Sequence, residues 1–587
     1  MQKQYTLDTY KIAEDYFDRM LQEVTGIKCL VLDEETVQII SLVYSQTSIL
    51  KKDVYLIERI DQPSEGKMQH LKVIYFIRPT EQNQQRLLQE LEKSRFAEYY
   101  IFFSNSASNL FIETIAQADN LDLIKQIHEI YIDYYILSSH LYSLNVTSTY
   151  GLTKQQPLWN QTDNQVLQRV YEGLLSVLLS LKRVPMIKYL SSSDACLQLA
   201  SKLTKKLKEE QQQNMSQLGQ DSKTLLLIWD RREDPITPLL NQWTYQAMLH
   251  EIIGLQNNRI DIERKQKAIG DVNNVSSGNQ DKEFVLNEKE DQFFMDNMYE
   301  NFGDMTSNIR NFVESIQLEK NKSKKMETLQ DIQNIVDSLP ELKKKSNNLN
   351  KHFTLSMELN NTIEQQELME ISKAEQEIST KEARNDQANM IFEILNNKQI
   401  PKYQKLKLVI MYALRYENED KIGKMKEKLK ELGLTQTQTN LINHALDYAG
   451  KQHRSGDLFS TKNTINKYLN KIKNVMKDVP NVFTQHKPYI INIINQILEN
   501  QMKENEFATT DLNFFREQPK EIIVFILGGA TYEEAREIAM LHKEKSINAL
   551  IGGTFVHNSY TFLAEIRNIA KDKKDEFGVQ DGSLVYR

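Results

Sequence analysis

Cysteine is nearly missing from this 587-residue chain: Cys29 and Cys196 are the only two. Two thiols can build neither a disulfide framework nor a thiolate metal site, and such usage suits a reducing compartment. Long apolar runs are missing too. The most apolar one, IIVFILGGA at 522–530, is about half the length of a membrane span. The N-terminus carries Asp8, Glu14 and Asp15 rather than an apolar core, so no secretory signal is expected. Any membrane residence should therefore be peripheral and borne by partners. Positive charge is not in excess: 73 Lys and Arg against 80 Asp and Glu leave a net −7, which excludes a basic nucleic-acid binder. Catalytic motifs are missing as well, with no HExxH, no Cys/His cluster and no GxSxG elbow. The double glycines at 528–529 and 552–553 match neither GxGxxG nor the Gly-Lys-Ser/Thr ending of a phosphate loop. Close helix–strand packing accounts for them better. No nucleophile stands beside a base, so neither enzyme activity nor a cofactor is expected.

What the chain does have is organised around residues 224–254. Leu225, Leu226, Leu227, Ile228 and Trp229 form a continuous apolar run of strand length, as in a strand buried on both faces of a parallel sheet. A polar loop follows: Asp230, Arg231, Arg232, Glu233 and Asp234. Pro235 and Pro238 flank Thr237, which reads as an N-cap with proline at the first helical position. Leu239, Leu240, Trp243, Ala247, Leu249 and Ile252 then form one broad apolar helical face, which Gly254 can close. The loop sits where open α/β sheets bind ligands. Carboxylates beside arginines are held ionised, however, and make poor acid–base catalysts. A structural ion-pair network, each Asp meeting an Arg fork, is the expected role. His250 reads as packing, and His486 as a turn cap.

The length corresponds to roughly four domains. Residues 5–24 show amphipathic helical spacing, and KCLVLD (28–33), VYLIER (54–59), LKVIYFI (71–77) and YYIFFS (99–104) read as strands separated by helices. Such alternation means a parallel sheet wrapped by helices. From 141 to 220 the chain reads as mostly helical. KLTKKLKEEQQQ (202–213) is charged all round, a solvated helix rather than a basic patch. QKAIGDVNNVSSGNQDKE (266–283) reads as an exposed loop. Residues 291–480 are helix-forming throughout, with Pro340 the conspicuous interruption between two long polar-faced helices, the pattern of a helical hairpin. YQKLKLVIMYALRYE (403–417) reads as a buried helix. α/β character returns at 521 with EIIVFILGG, a Thr531-x-x-Glu534 capping box and INALIGGTFVH.

DRREDPITPLLNQWTYQAMLHEIIG resembles the signature of the SM (Sec/Munc-type) proteins, the cytosolic syntaxin-binding proteins of vesicle fusion, and within them the endosomal and trans-Golgi branch. MDNMYENFGDM, MYALRYE, GDLFS, VFTQHKPYI and LGGATYEEA resemble further segments of that family, in order along the chain. PMIKYL resembles another, with Lys188 where the family usually has Arg, and the two are not equivalent at a bidentate site. The resemblance implies an arch, α/β plus all-α: two parallel-sheet α/β domains with an inserted helical domain carrying a long hairpin. The expected parts are 1–140, an N-terminal α/β domain; 141–250 and 481–587, two stretches of a second α/β domain sharing one sheet; and 251–480, the helical insertion.

Functionally, the resemblance implies a monomer that binds a syntaxin-type SNARE and its SNARE complex and promotes SNARE assembly. It would act from the cytoplasm, held peripherally at Golgi and endosomal membranes by its partners. Two surfaces are implied. Matching segments places Phe111, Ile115 and Glu129 at a pocket for a syntaxin N-terminal peptide, on two successive predicted helices. The other surface is the hairpin around Pro340, with His352 and Phe353 on its second helix. By pattern alone Phe111 and Ile115 are core residues. The alternatives are a helical tether or scaffold without SNARE templating and, more distantly, an enzyme built on the α/β domains.

Overall fold

The computed structural model describes residues 7–63, 66–213, 223–262, 283–323, 329–380, 386–456, 458–459, 483, 485–501, 506–510 and 518–571. The expected loop at 266–283 lies almost wholly outside them. The chain divides into two compact units. One comprises Met1–Arg231, Ile493–Ala530 and Glu534–Val556, the other Arg232–Asn492, Thr531–Glu533 and His557–Arg587.

The first unit holds two sheets. One contains β1 (Lys28–Leu32), β2 (Val54–Arg59), β3 (Met68–Ile77), β4 (Phe96–Phe103) and β5 (Ile124–Glu129), in the order β2-β1-β3-β4-β5 and parallel throughout. The four expected strands are present. β5 is a correction, because LDLIKQIHEI reads as a helix by its apolar spacing of three. Pairing with β4, Ile127 against Ile101 and Glu129 against Phe103, supplies a ladder that local periodicity cannot reveal. Cys29, Val31, Val73, Tyr75, Tyr99 and Ile101 project from one face at the two-residue period of strands. Leu87, Phe111 and Ile115 from the covering helices close that core.

The second sheet draws on both ends of the chain. Its strands are β6 (Tyr135–Ser138), β7 (Leu141–Ser143), β8 (Met186–Leu190) and β9 (Thr224–Asp230). After a short ribbon of β10 (Arg259–Asp261) and β11 (Glu283–Val285) in the other unit come β12 (Phe507–Thr509), β13 (Glu521–Leu527) and β14 (Asn548–Gly553). The order is β12-β8-β9-β13-β14-β7-β6, so β13 returns to pair in parallel with β9, Glu521 opposite Thr224 through Leu527 opposite Asp230. Every residue of β9 and β13 is buried, as continuous apolar runs require. β8, within the PMIKYL segment, is a strand that the apolar pattern did not disclose. Arg183 grips Glu521 through Nε at 2.7 Å and Nη2 at 3.0 Å, and the Thr224 hydroxyl donates to the same carboxylate at 2.6 Å, fixing the register of β9 and β13.

The double glycines serve backbone geometry. Gly528 and Gly529 carry φ of +90° and +96° at the end of β13, a conformation costly for other residues. Gly552 lies opposite Tyr142 on β7, and a Cβ there would stand 2.2 Å from the ring. The close packing is thus strand against strand, not helix against strand.

The second unit is mainly helical. Helix Phe302–Ser323 packs on helix Leu329–Gln365. The latter runs unbroken through Pro340, which corrects the expected hairpin bend at that residue. A proline removes one backbone donor and crowds the preceding turn, but the 37-residue helix continues past it into the helix-forming run Glu341, Leu342, Lys343, Lys344 and Lys345. Helices Leu368–Thr380, Lys402–Tyr416 and Gln436–Ala449 form a further packed group. Within it Lys407, fully buried, meets Glu375 at 3.1 Å and Glu251 at 3.6 Å and donates to Asn241 Oδ1 at 2.8 Å.

Gly552→Ala is expected to destabilise the protein by about 1–3 kcal/mol through overpacking against Tyr142, read as a lower urea midpoint. An unchanged midpoint would mean that the ring moves aside without cost.

Candidate functional site

The loop after β9 is tied into the fold by buried bonds, and its wiring differs from simple Asp–Arg pairing. Arg231, fully buried, donates from Nη2 to both oxygens of the equally buried Glu534, at 2.6 and 2.7 Å. Its Nε donates to Gly529 O at 3.0 Å, and its guanidinium lies 5.5 Å from the Trp229 ring centre. Asp230 accepts from the Ser193 hydroxyl at 2.9 Å. In the second unit, Asp234 accepts from the Ile236, Thr237 and Tyr489 amides and from the Thr237 hydroxyl. Glu233 accepts from the Ser455 amide and hydroxyl. Arg232 is half-buried, so the arginine sealed in the protein is Arg231. Pro235 and Pro238 are buried beside it in sequence. Thr237 is not a helix N-cap: Thr237–Leu239 is one tight turn, and the α-helix starts only at Tyr245. Asp234 claims the Thr237 hydroxyl first. Gly254 does end the helical stretch, at φ +96°. His486 Nε2 lies 3.0 Å from the same Thr237 hydroxyl.

The region expected to receive a peptide lies at the carboxyl end of the first sheet. Helix Asn109–Ala118 opens on Ser108, whose hydroxyl accepts from the Phe111 amide. Phe111 and Ile115 share a face of that helix, as their spacing implies, and that face points inward. Ile115 is fully buried, and Phe111 is 7 % exposed with its ring edge-on to Phe103 at 5.2 Å. Glu129 ends β5 rather than lying on a helix. It accepts from the Ala107 amide at 2.7 Å and the Tyr131 hydroxyl at 3.1 Å. Burial and the Glu129 charge push the Tyr131 hydroxyl well above its usual pKa. The exposed apolar residue at this end of the helix is Leu110, at 73 %. The signal for it was present in sequence, because Leu110 falls one step off the inward stripe.

On the long helix, His352 is fully buried, a correction to its expected place on a partner-facing surface. The Tyr245 hydroxyl lies 2.8 Å from its Nδ1 and Asp291 Oδ2 lies 2.9 Å from its Nε2. The tyrosine donates to Nδ1 and the Nε2–H donates to the carboxylate. Burial keeps the His352 pKa down, and Lys351 also holds Asp291 ionised. His352 thus anchors the helix. Its neighbour Phe353 is 53 % exposed, and Met357, one turn on, is 48 % exposed. These two share a helix face.

A small pocket in the second unit, with room for little more than a water molecule, is lined in part by His250, Tyr532 and His557. Burial drives His250 down to about 3, and its ring packs edge-on to Tyr532 at 5.0 Å. It is neutral at physiological pH and serves packing. Among the described residues no cluster of three or more metal-ligating side chains occurs, and no helix is long and apolar enough to cross a membrane.

The sequence profile of the Sec1 family matches residues 28–565. The chain belongs to the Sec1 family. It is 36 % identical over 562 residues to vacuolar protein sorting-associated protein 45 of Dictyostelium discoideum, covering 95 % of this chain and 96 % of that one. The Homo sapiens protein of the same name is 36 % identical over 559 residues, covering 94 % and 95 %. Among solved structures, the SM protein Vps45 in complex with the Qa SNARE Tlg2 matches at TM-score 0.84 and 34 % identity, over 96 % of this chain and 98 % of that one. The Unc18–syntaxin 1 complex from Monosiga brevicollis shares the fold at TM-score 0.77 and 17 % identity, over 96 % and 99 %. The SM resemblance of the sequence and its mixed fold class are therefore established for this Sec1-family chain.

Arg231→Ala is expected to cost about 3–5 kcal/mol, because it leaves the Glu534 carboxylate buried without its partner. Thermal melting and soluble yield of this variant should fall whatever partner is assayed. Normal melting with loss of one binding activity alone would make the loop a functional site instead.

Proposed function

We propose that this chain binds a syntaxin-type SNARE and promotes SNARE complex assembly in vesicle docking and fusion at endosomal and trans-Golgi membranes. The observation that carries this is the match, over nearly its whole length, to an SM protein solved with a Qa SNARE bound. The reading needs no bond chemistry. Helices held in register by a template avoid much of the orientational cost of meeting one another. The protein works as a cytoplasmic monomer, reaching membranes peripherally through its partners.

Two surfaces serve this reading. One is the end of helix Asn109–Ala118, where Phe111 and Ile115 make a packed floor, Glu129 offers a negative charge and Leu110 an exposed apolar contact for a syntaxin N-terminal peptide. The other is the outward face of helix Leu329–Gln365 at Phe353 and Met357, an apolar stripe of the kind an amphipathic SNARE helix covers. Pro340 lies on the same helix and leaves one turn without its backbone donor.

Affinity capture from cytosol and solubilised membranes is expected to recover a syntaxin together with its partner SNAREs. Recovery of neither would leave a tether as the better reading. Titrating the captured syntaxin's N-terminal peptide, Leu110→Ala and Glu129→Lys should each weaken binding, with loss of the central contact about 2 kcal/mol or roughly thirtyfold. The Glu129→Lys defect should grow as salt is lowered, since repulsion is then less screened. Unchanged affinity at low salt would move the pocket elsewhere.

The helix face is tested separately by assembly kinetics. Phe353→Ala with Met357→Ala should slow SNARE assembly roughly tenfold while leaving the melting temperature and peptide affinity alone, as both side chains are exposed. Pro340→Ala, which relieves about 3 kcal/mol of helix penalty, should not slow it. A normal rate from the double variant would remove this face from the account.

A further inference from the structure

The Glu129 carboxylate takes its orientation from a short loop, residues 104–108, that joins β4 to helix Asn109–Ala118. Its Oε1 accepts from the Ala107 amide at 2.7 Å, and its Oε2 accepts from the Tyr131 hydroxyl at 3.1 Å. Tyr131 follows close behind Glu129 in the chain, so its hydroxyl moves with the strand end. The Ala107 amide is the reference point that comes from elsewhere. It can aim the carboxylate only if the loop itself is held. The Ser104 N–H donates to Ile77 O at 3.0 Å and ties the loop's first residue to β3.

Asn105 fixes the rest. Its side chain is 6 % exposed and bonds through both ends of the amide. Oδ1 accepts from the Ser106 N–H at 2.9 Å, while Nδ2 donates to Asp133 Oδ2 at 2.9 Å and to Glu172 O at 3.0 Å. Both partners of Nδ2 are pure acceptors, so the amide has one orientation here. Asp133 is fully buried and pinned in turn. Arg169 donates to both of its oxygens at 3.2 Å, Arg78 Nε lies 3.0 Å from Oδ1, and the Asp133 N–H donates to the Ser176 hydroxyl at 3.0 Å. Glu172 and Ser176 lie one turn apart on helix Gln161–Ser180, so the loop is referenced to a 20-residue helix of the same unit. Aspartate in place of Asn105 would set a second carboxylate against Asp133, and serine has one proton to give where two are used.

We propose that Asn105 is a positioning residue of the peptide site. By holding the loop against Asp133 and helix Gln161–Ser180, it lets the Ala107 amide aim the Glu129 carboxylate at a basic group of the bound peptide. The proposal rests on the reading that Glu129 meets a syntaxin N-terminal peptide. Pre-set geometry matters for such a contact, because a carboxylate that must first be oriented loses conformational freedom on binding. An Asn105 that only closed the loop would act differently. Its loss would lower stability and weaken every contact of the helix alike, with no special link to Glu129.

The test compares Asn105→Ala with the wild-type full chain. Amide hydrogen exchange over residues 104–111 should quicken in the variant while the melting temperature changes little, because Asp133 keeps both arginines. Affinity for the syntaxin N-terminal peptide should fall about tenfold, the worth of one hydrogen bond. It should also respond less to salt, because the displaced Glu129 charge no longer sits beside its partner. In a Glu129→Ala background, Asn105→Ala should cost nothing further. Unchanged exchange, or an equal loss of affinity with and without Glu129, would overturn the proposal. Asn105→Ser, which keeps one proton donor, should show the same effects at smaller size and serves where Asn105→Ala does not fold. A wild-type chain that binds no syntaxin peptide would sink the reading of the pocket, whereas hydrogen exchange reads the positioning without any ligand.

Discussion

The pair that the first unit depends on is Arg231 with Glu534. Both side chains are fully withdrawn from water, where an isolated charge costs several kcal/mol. Either residue alone would therefore be a liability, and each is tolerable only when the other has arrived. Glu534 meets Arg231 at the end of β9, where β13 pairs along that strand and Gly529 turns its carbonyl toward the guanidinium. Arg231 and Glu534 are 303 residues apart in the chain. Closing so long a loop is slow, and the closure must be rewarded at once by contacts. The bidentate pair supplies part of that reward and fixes the geometry at the same time.

The second unit uses the same physics with different residues. Lys407 sits between Glu375 and Glu251, while Asn241 bonds both Lys407 and Glu375. Tyr245, His352 and Asp291 form a second buried chain that holds the long helix at its base. Most acidic and hydroxyl groups of the stretch 230–251 are thus spent on internal bonds, while the side-chain amide of Gln246 and the Trp243 Nε1 are buried without a partner. What stays outside includes the apolar pair Phe353 and Met357 and Leu110 at the end of its helix. That distribution suits a protein acting by contact surfaces.

Much of this architecture was legible residue by residue. The apolar runs marked β1 to β4, β9, β13 and β14, and composition alone argued against a disulfide-bonded, basic or membrane-spanning chain. Phe111 and Ile115 could be put on one helix face from their spacing, though not which way that face turned. The family resemblance puts His352 on a partner-facing surface, and its burial against Tyr245 and Asp291, far away in sequence, is invisible to local pattern.

Local periodicity, cysteine count and charge balance are properties of neighbours along the chain, so the sequence by itself determined the alternation of strand and helix and the SM kinship. The rest is non-local. β5 is a strand because β4 offers it a ladder, and the Asp234 carboxylate takes the Thr237 hydroxyl that would have capped a helix. The partner of Arg231 is Glu534 rather than an adjacent acid, because only packing removes water and makes one charged neighbour matter more than all the others.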